Sequence, residues 1–398
     1  MSDDERLDLL TLQLTPGIGP VRLSALLERF GSPAAILRAD LSALGQVEGI
    51  GPRIAQALRD STAREQARRE LQRAVQAGIT LRARGEVGYP PMLAEIPGSP
   101  ALLFLSGTWL EQDAQAVALV GTRHPNSYGR RVATLLATEL ARRGYVVVSG
   151  MARGIDGIAH LAALEAGGRT LAVLAGGFDH LYPPEHRPLA QRIARQGALL
   201  SESVPSQEPL KGLFPARNRL ISGLARAVVI VQAAEGSGAL ITATHAAEQG
   251  RPVLAVPGPV DEQPHTGCHR LLREGATLCR GVDDILEEMH GLQSQATGQS
   301  PPQSQPLPPP SLVRPWPAAP PVPAAPASMA SVARPSPPLS QEEQLVRAAL
   351  RETIRSMDEL VRETTLPVPQ LSSILMTLQM RRLVRQLPGN RYSWCVED

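Results

Sequence analysis

The sequence predicts an α/β fold in which a Rossmann-like, doubly wound and mostly parallel sheet is flanked by an N-terminal helical domain and a C-terminal winged helix. Three observations predict it. Between residues 115 and 290, short apolar runs alternate with amphipathic stretches, the signature of consecutive βα units around a parallel sheet. Residues 1–75 carry helical periodicity broken by Gly-Pro punctuation. Residues 301–338 hold 15 prolines and two charges, Arg314 and Arg334. Such a stretch cannot build a core and reads as a stiff polyproline-type or disordered tether. The expected domains are 1–80, 81–292 and 339–398, with 293–338 as the linker.

In the first domain two stretches resemble each other, Thr15-Pro-Gly-Ile-Gly-Pro-Val-Arg and Val47-Glu-Gly-Ile-Gly-Pro-Arg-Ile. Each reads as a Gly-x-Gly hairpin between short helices, the pattern of a helix-hairpin-helix pair. Such hairpins either bring glycine backbone and helix N-terminal amides to a DNA phosphate or only make the tight turns of a small helical module. In the second domain the expected strands are Val117–Val120, Tyr145–Val148, Thr170–Leu174, Ala198–Leu200, Ala227–Val231, Val253–Val256 and Thr277–Cys279. Gly129–Arg142, Ile155–Glu165, Asn218–Leu224 and Ala239–Gln249 read as helices between them. The tail gives helices at Ser340–Arg351, Ser356–Glu363 and Pro367–Arg381. A hairpin of Leu383–Gln386 and Arg391–Trp394 about Pro388-Gly-Asn390 follows, which is winged-helix order. Eight arginines balance eight acids there, and the would-be recognition helix carries Gln370, Ser372, Ser373 and Gln379, with Arg381 and Arg382 only at its end. A strong duplex reader needs more positive charge, so a protein-contact or regulatory role is favoured for this domain.

Composition sets outer bounds. The longest apolar runs, such as Ala101–Leu105, fall far short of the ~20 residues that span a bilayer. The first residues are acidic where a secretory leader is basic, and three cysteines at scattered positions give no disulfide framework. A cytoplasmic protein with no membrane partner is the expectation. The net charge of +2 decides little, but of the 40 basic residues only Lys211 is a lysine. That makes the position stand out.

Chemistry concentrates where the strands end. The loops Gly121-Thr-Arg123, Ser149-Gly-Met-Ala-Arg-Gly154, Gly176–Pro183, Ser201-Glu-Ser203 and Glu235-Gly-Ser-Gly238 follow successive strands. In a doubly wound sheet that is the ligand-binding edge. Gly121, Thr122, Gly150, Gly236, Ser237 and Gly238 would present backbone amides to an anion, with Arg123 and Arg153 as full charges beside them. The dinucleotide fingerprint and the P-loop are both absent, so no nucleotide cofactor is expected. Between the fourth and fifth strands, Lys211-Gly-Leu-Phe-Pro-Ala-Arg-Asn-Arg219 packs Lys211, Phe214, Arg217, Asn218 and Arg219 into nine residues. Cations around an aromatic platform are how proteins hold single-stranded nucleic acid. Two alternatives stay open at this point: Phe214-Pro215 plugging a helix start, and Arg217 and Arg219 bracing the sheet edge.

Catalytic signals are weaker. Asp156 and His160 stand four apart on one helix face with Glu165 beyond, a spacing that more often marks a cap and a structural bond than a general base. His265, Cys268 and His269 have no second ligand pair to complete a metal site. No catalytic residue and no metal is expected.

Five motifs then occur together: Val117-Ala-Leu-Val-Gly-Thr-Arg, Ser149–His160, Phe214-Pro-Ala-Arg-Asn-Arg-Leu-Ile-Ser-Gly, Gly236-Ser-Gly-Ala-Leu-Ile-Thr-Ala and Val256-Pro-Gly258. In that order they closely resemble the DNA-processing protein A (DprA, or Smf) family over roughly residues 85–290. The flanking modules fit the family's extended architecture, with a sterile-alpha-motif or helix-hairpin-helix domain before and a winged helix after. The resemblance implies a non-enzymatic bacterial protein of natural transformation. Such a protein binds incoming single-stranded DNA, dimerises through the Rossmann-like domain and helps load RecA recombinase. Carried over by motif, Arg123 and Lys211 look like phosphate contacts, and Phe214 falls near a base-contacting position. His269 stands where the family usually has Asn. The alternative function is a nucleotide-processing hydrolase of the lysine-decarboxylase-like Rossmann type. It would need an acid–base pair at the Gly236–Thr242 loop, where this chain offers only Glu235. A third reading is a duplex-binding transcription regulator acting through residues 339–398.

Overall fold

The computed structural model describes residues 1–296, 340–350, 355–364, 366–367, 370–371, 374–375, 378, 383–387 and 391–394. Most of the Pro-rich linker lies outside them, as do Cys395, the expected wing turn at 388–390 and much of the expected recognition helix, with Ser372, Ser373, Gln379, Arg381 and Arg382. The chain divides into two compact units, Met1–Ser304 and Gln305–Asp398.

The first unit opens with α1 (Asp3–Leu14), α2 (Pro20–Phe30), α3 (Pro33–Arg38), α4 (Leu41–Gly45), α5 (Pro52–Ala57) and α6 (Ser61–Gln76). Ser2 and Glu5 start α1 by a reciprocal capping box, amide to carboxylate at 2.7 Å and amide to hydroxyl at 3.2 Å. The two Gly-x-Gly repeats become two equivalent hairpins. Gly17 and Gly49 take φ of 86° and 78°, a left-handed conformation that suits glycine. Pro20 and Pro52 then open α2 and α5, where a missing N–H costs nothing.

A nine-stranded sheet follows. Its elements are β1 (Thr80–Ala83), α7 (Pro91–Ala94), β2 (Leu102–Gly107), β3 (Ala116–Gly121), α8 (Ser127–Arg142), β4 (Val146–Ser149), α9 (Ile155–Glu165), β5 (Thr170–Val173), α10 (Arg187–Gln196), β6 (Ala198–Ser201), α11 (Leu213–Gly223), β7 (Ala227–Gln232), α12 (Gly238–Glu248), β8 (Val253–Ala255), α13 (Thr266–Arg273), β9 (Thr277–Leu278) and α14 (Val282–Ala296). Strand order is β1-β2-β6-β5-β4-β3-β7-β8-β9, parallel except for the antiparallel β1–β2 and β2–β6 pairs. Alternate side chains of β3 serve opposite faces. Val117 and Leu119 pack with the α8 and α9 side chains, Ala118 and Val120 with those of α11 and α12. Burial on both faces explains why the central strands read as unbroken apolar runs.

All seven expected strands are present. The antiparallel β1–β2 edge and α10 were not expected, and α11 starts at Leu213 rather than Asn218. Pro215 does not delay that helix because it sits in the first turn, where its N–H has no helical partner to lose. The helical domain is fused to the sheet rather than tethered to it. Its core, including Leu10, Leu12 and Leu26, continues onto Leu102 and Phe104 of β2 and onto Val204. Ser206 binds Glu70 through both its amide (3.0 Å) and its hydroxyl (2.7 Å).

The second unit contains α15 (Gln341–Leu350), β10 (Arg355–Ser356), α16 (Met357–Thr364), β11 (Val384–Leu387) and β12 (Arg391–Trp394), the strands forming an antiparallel sheet of order β10-β12-β11. Leu371, Ile374, Leu375 and Leu378 bury against Val346, Leu360 and Tyr392; their spacing is that of one helix face.

A buried imidazole locks α9 to the sheet. His160 Nδ1 lies 2.7 Å from Thr170 Oγ1, and that hydroxyl donates to the Val147 carbonyl at 2.7 Å. Thr170 therefore accepts from Nδ1–H, while Nε2 has no partner, which is the neutral ring. Burial, aided by nearby His186 and Arg217, pushes this group's pKa down to about 3. In the unfolded chain a histidine titrates near ~6.5. Stability from this group is thus complete above that pH and is lost as pH falls toward 3, because only the unfolded state takes the proton. Urea-unfolding free energies at pH 7, 5 and 4 should fall for the wild type. His160→Gln, less stable at pH 7, should fall by less, and two parallel profiles would contradict the assignment.

Candidate nucleic-acid interface

The carboxyl ends of the parallel strands make one edge of the first unit. After β3 the chain turns to one side of the sheet, and after β7 to the other. The loops that follow these two strands therefore flank a topological switch point, where open α/β sheets bind ligands. A cleft on this edge is lined by Arg123, Gly150, Arg153, Gly177, Tyr182 and Phe214, among others. Three strand-end loops and the first turn of α11 thus meet.

Four side chains form a ladder across the cleft. The Arg123 guanidinium lies 5.5 Å from the Phe214 ring centre. Phe214 meets Tyr182 edge to face at 5.8 Å, and Arg153 lies 5.6 Å over the Tyr182 ring. These are cation–π and T-shaped aromatic distances. Arg153 also pairs with Glu185 at 2.5 Å, a contact that raises its own pKa and lowers that of Glu185. Arg123 and Lys211 are both exposed and have no carboxylate partner among the described residues. Phe214 is half-buried within the ladder and does not plug the core. The cleft itself encloses only about 20 Å³, room for a water and not for a base. A ligand would lie across the ladder, not inside it.

Beneath the cleft Arg217 corrects the expectation placed on it. Only 6% exposed, it cannot present its charge to a ligand. Its Nη1 donates to the Gly150 carbonyl at 2.6 Å and to the Val173 carbonyl. Burial brings its pKa down to about 10, against the attraction of Asp156. A Cβ on Gly150 would meet that guanidinium at 2.7 Å, so the glycine makes room for the arginine. Asp156, its pKa raised by burial against the pull of Arg217, accepts from the Gly150 amide at 3.1 Å and the Ala152 amide at 3.3 Å. Together they hold Met151 at φ 60°, an uncommon conformation for a non-glycine residue.

The same bonds take up some of the amides expected to be free, and the Thr122 and Ser237 amides go to the Gln232 and Ala234 carbonyls at 2.7 and 3.1 Å. Gly150 spends its amide on Asp156. The His124 amide goes to the Thr122 hydroxyl at 3.2 Å, and Ser237 caps α12 through the Ala239 amide at 3.3 Å. Gly121 packs so closely on Ile155 that a Cβ would lie 2.7 Å away. Gly236, Ser237 and Gly238 stand outside the cleft lining; Asn218 reaches them by donating to the Gly238 carbonyl at 3.2 Å. Arg219 turns away from the ladder and pairs with Glu202 at 2.6 Å. The expected set therefore splits. Arg123, Gly150, Arg153 and Phe214 line the cleft with Lys211 beside it, while Arg217, Asn218 and Arg219 brace α11.

Tyr182 was not nominated from sequence, although its loop follows β5 and an aromatic before Pro183 at a strand end was a usable signal. His269 Nε2 lies 3.0 Å from the Gly258 carbonyl, and the Cys268 thiol is buried, its pKa pushed up to about 11. Both have structural settings. Among the described residues no three His, Cys, Asp or Glu side chains group to hold a metal, and no helix is long and apolar enough to cross a membrane.

Comparison with known proteins bears on this geometry. Residues 80–290 match the family model of DNA recombination-mediator protein A, residues 330–390 the DprA winged helix domain, and residues 7–64 a SAM-like helix-hairpin-helix tandem. Protein Smf of Synechocystis sp. is 32% identical over 98% of this chain and 99% of its own length. DNA processing protein DprA of Bacillus subtilis is 46% identical over 50% of this chain and 68% of its own. Among solved structures, DNA processing protein A from Streptococcus pneumoniae is similar with a TM-score of 0.58 at 32% identity, covering 71% of this chain and 97% of that one.

The two kinds of arginine should separate by stability. Arg217→Met leaves a buried carboxylate without its nearby cation and two carbonyls without their donor, and should cost about 3–5 kcal/mol in urea unfolding. Arg123→Ala, on the surface, should stay within about 0.5 kcal/mol of wild type. Equal effects would contradict the division.

Proposed function

The chain belongs to the DNA recombination-mediator protein A family, and on that premise we propose that it is a non-enzymatic mediator that binds single-stranded DNA at the carboxyl edge of its parallel sheet. The observation that carries the reading is Arg123, without a carboxylate partner among the described residues and lying against the half-exposed ring of Phe214, with the exposed Lys211 three residues before that ring in the chain. Phosphates follow the cations, and an unstacked base lies on the ring. Duplex DNA keeps its bases stacked and would use the charges only. Three titratable groups around the cleft have structural employment, which supports binding over catalysis. Asp156 holds amides, Glu185 holds Arg153, and His186 Nδ1 lies 3.0 Å from the Met151 carbonyl. As the family resemblance implies, the proposal extends to dimerisation through the Rossmann-like domain, delivery of the bound strand to RecA recombinase during transformation, and a cytoplasmic site of action.

Fluorescence anisotropy of a labelled 20-mer tests the binding step. The wild type should bind the single strand more tightly than the duplex, with affinity falling steeply with salt. Removing both charges in Arg123→Ala/Lys211→Ala should weaken binding and flatten the log–log salt slope by about 1.4, two phosphate contacts at about 0.7 each. Phe214→Ala should cost about 1–3 kcal/mol with the salt slope unchanged. Unaltered binding by the double variant would move the DNA contacts elsewhere.

A further inference from the structure

A second cavity lies on the other side of the α11 N-terminus, where the first helix-hairpin-helix turn approaches the sheet. It encloses about 450 Å³, within the ~300–1,000 Å³ range of small-molecule sites. Residues 207–214 form the ridge between the two spaces: Pro209 and Phe214 line the cleft already described, Gln207 and Leu213 line this one. Lys211, exposed, lies between Pro209 and Leu213 in the chain.

The chemistry of its walls is mixed. Ile18 of the hairpin, Leu23 and Leu27 of α2, and Val204 supply apolar surface. Arg84 lines the cavity, is exposed and has no carboxylate partner among the described residues. Two buried polar atoms of the lining lack partners, Gln13 Oε1 and Arg219 Nη1. Their other ends are fixed, since Gln13 Nε2 donates to the Glu202 carbonyl at 3.0 Å and Arg219 Nη2 pairs with the Glu202 carboxylate at 2.6 Å. Glu202 is therefore neutralised, and the unspent groups are one acceptor, one charged donor and one free cation. A nucleobase edge offers a donor and an acceptor together, its face suits apolar walls, and the phosphate of its nucleotide suits Arg84.

We propose that this cavity is a second nucleotide subsite, and that a strand held at Arg123 and Phe214 crosses the ridge past Lys211 to seat a further base between α11 and the first hairpin. The proposal rests on the single-strand reading of the first cleft. It gives the N-terminal hairpin a DNA contact as one wall of a shared groove.

Oligothymidylates of about 6 and about 14 nucleotides separate the two sites, since single-strand sites span ~4–16 nucleotides. Wild type should bind the longer strand more tightly by about tenfold or more, the worth of one well-seated base. Ala216→Trp, at an exposed position on α11 that lines the cavity, should abolish that gain and leave 6-mer affinity unchanged. Arg84→Glu should do the same by charge, and both variants should keep the wild-type melting temperature. If wild type shows no length gain, if both variants bind the 14-mer normally, or if they lose 6-mer binding equally, the second subsite is overturned. Failure of the underlying reading looks different: the 6-mer then binds no worse to Arg123→Ala/Lys211→Ala than to wild type.

Discussion

The buried Arg217 guanidinium is the constraint on which the rest of the edge depends. It ties the end of β4 to the end of β5 through the Gly150 and Val173 carbonyls and lies close enough to attract Asp156. Asp156 in turn gathers the amides of the loop that carries Arg153. Neither charge would survive burial alone, because an uncompensated ion in a low-dielectric interior is expensive. Together they set the path of the β4–α9 loop and seat α11 on the sheet. The orientation of Phe214, three residues before Arg217, follows from that seat. A surface aromatic in a flexible loop would lose conformational entropy on binding; here the helix beneath it has already fixed its backbone.

The same arrangement decides how the edge carries positive charge. Glycine-rich strand-end loops are commonly anion sites because their amides are free, but here Asp156 takes the Gly150 and Ala152 amides, Thr122 that of His124 and Ser237 that of Ala239. Full charge at the edge comes from side chains: Arg123 and Lys211 without a carboxylate partner among the described residues, Arg153 shared with Glu185. Fixed amides define one phosphate geometry, whereas long cationic side chains follow a backbone of variable path. That difference suits a polymer better than a cofactor. It also agrees with the absence of both nucleotide fingerprints from the sequence.

Much of this was legible in the sequence, for identifiable reasons. The central parallel strands, β3 to β7, are buried on both faces, so each appears as an apolar run, and the paired Gly-x-Gly repeats announce their own turns. The β1–β2 edge was not legible. Leu102 and Phe104 face the helical domain while Leu103 and Leu105 face the sheet's own core, so this antiparallel strand shows no alternation to mark it. The cleft was half legible. Strand ends and clustered cations located it, yet Arg217 and Arg123 look alike as letters. Only packing distinguishes an arginine that donates to buried carbonyls from one that faces solvent. Tyr182 escaped because its role comes from meeting Phe214 across 32 positions of sequence.

The fused helical domain changes what the edge can be. A module on a flexible tether would explore many positions and add little beyond a raised local concentration. Here the core running from Leu10 and Leu12 onto Leu102 and Phe104, with Glu70 clasping Ser206, fixes the first hairpin relative to α11. Any ligand that touches both finds its partners already placed and pays no ordering cost for domain closure. The position of α11 is itself set by Arg217. A single buried cation thus aligns the aromatic ladder on one side of the helix and the hairpin-walled cavity on the other. This explains why Arg217 lies inside a run of residues that otherwise reads as a binding surface.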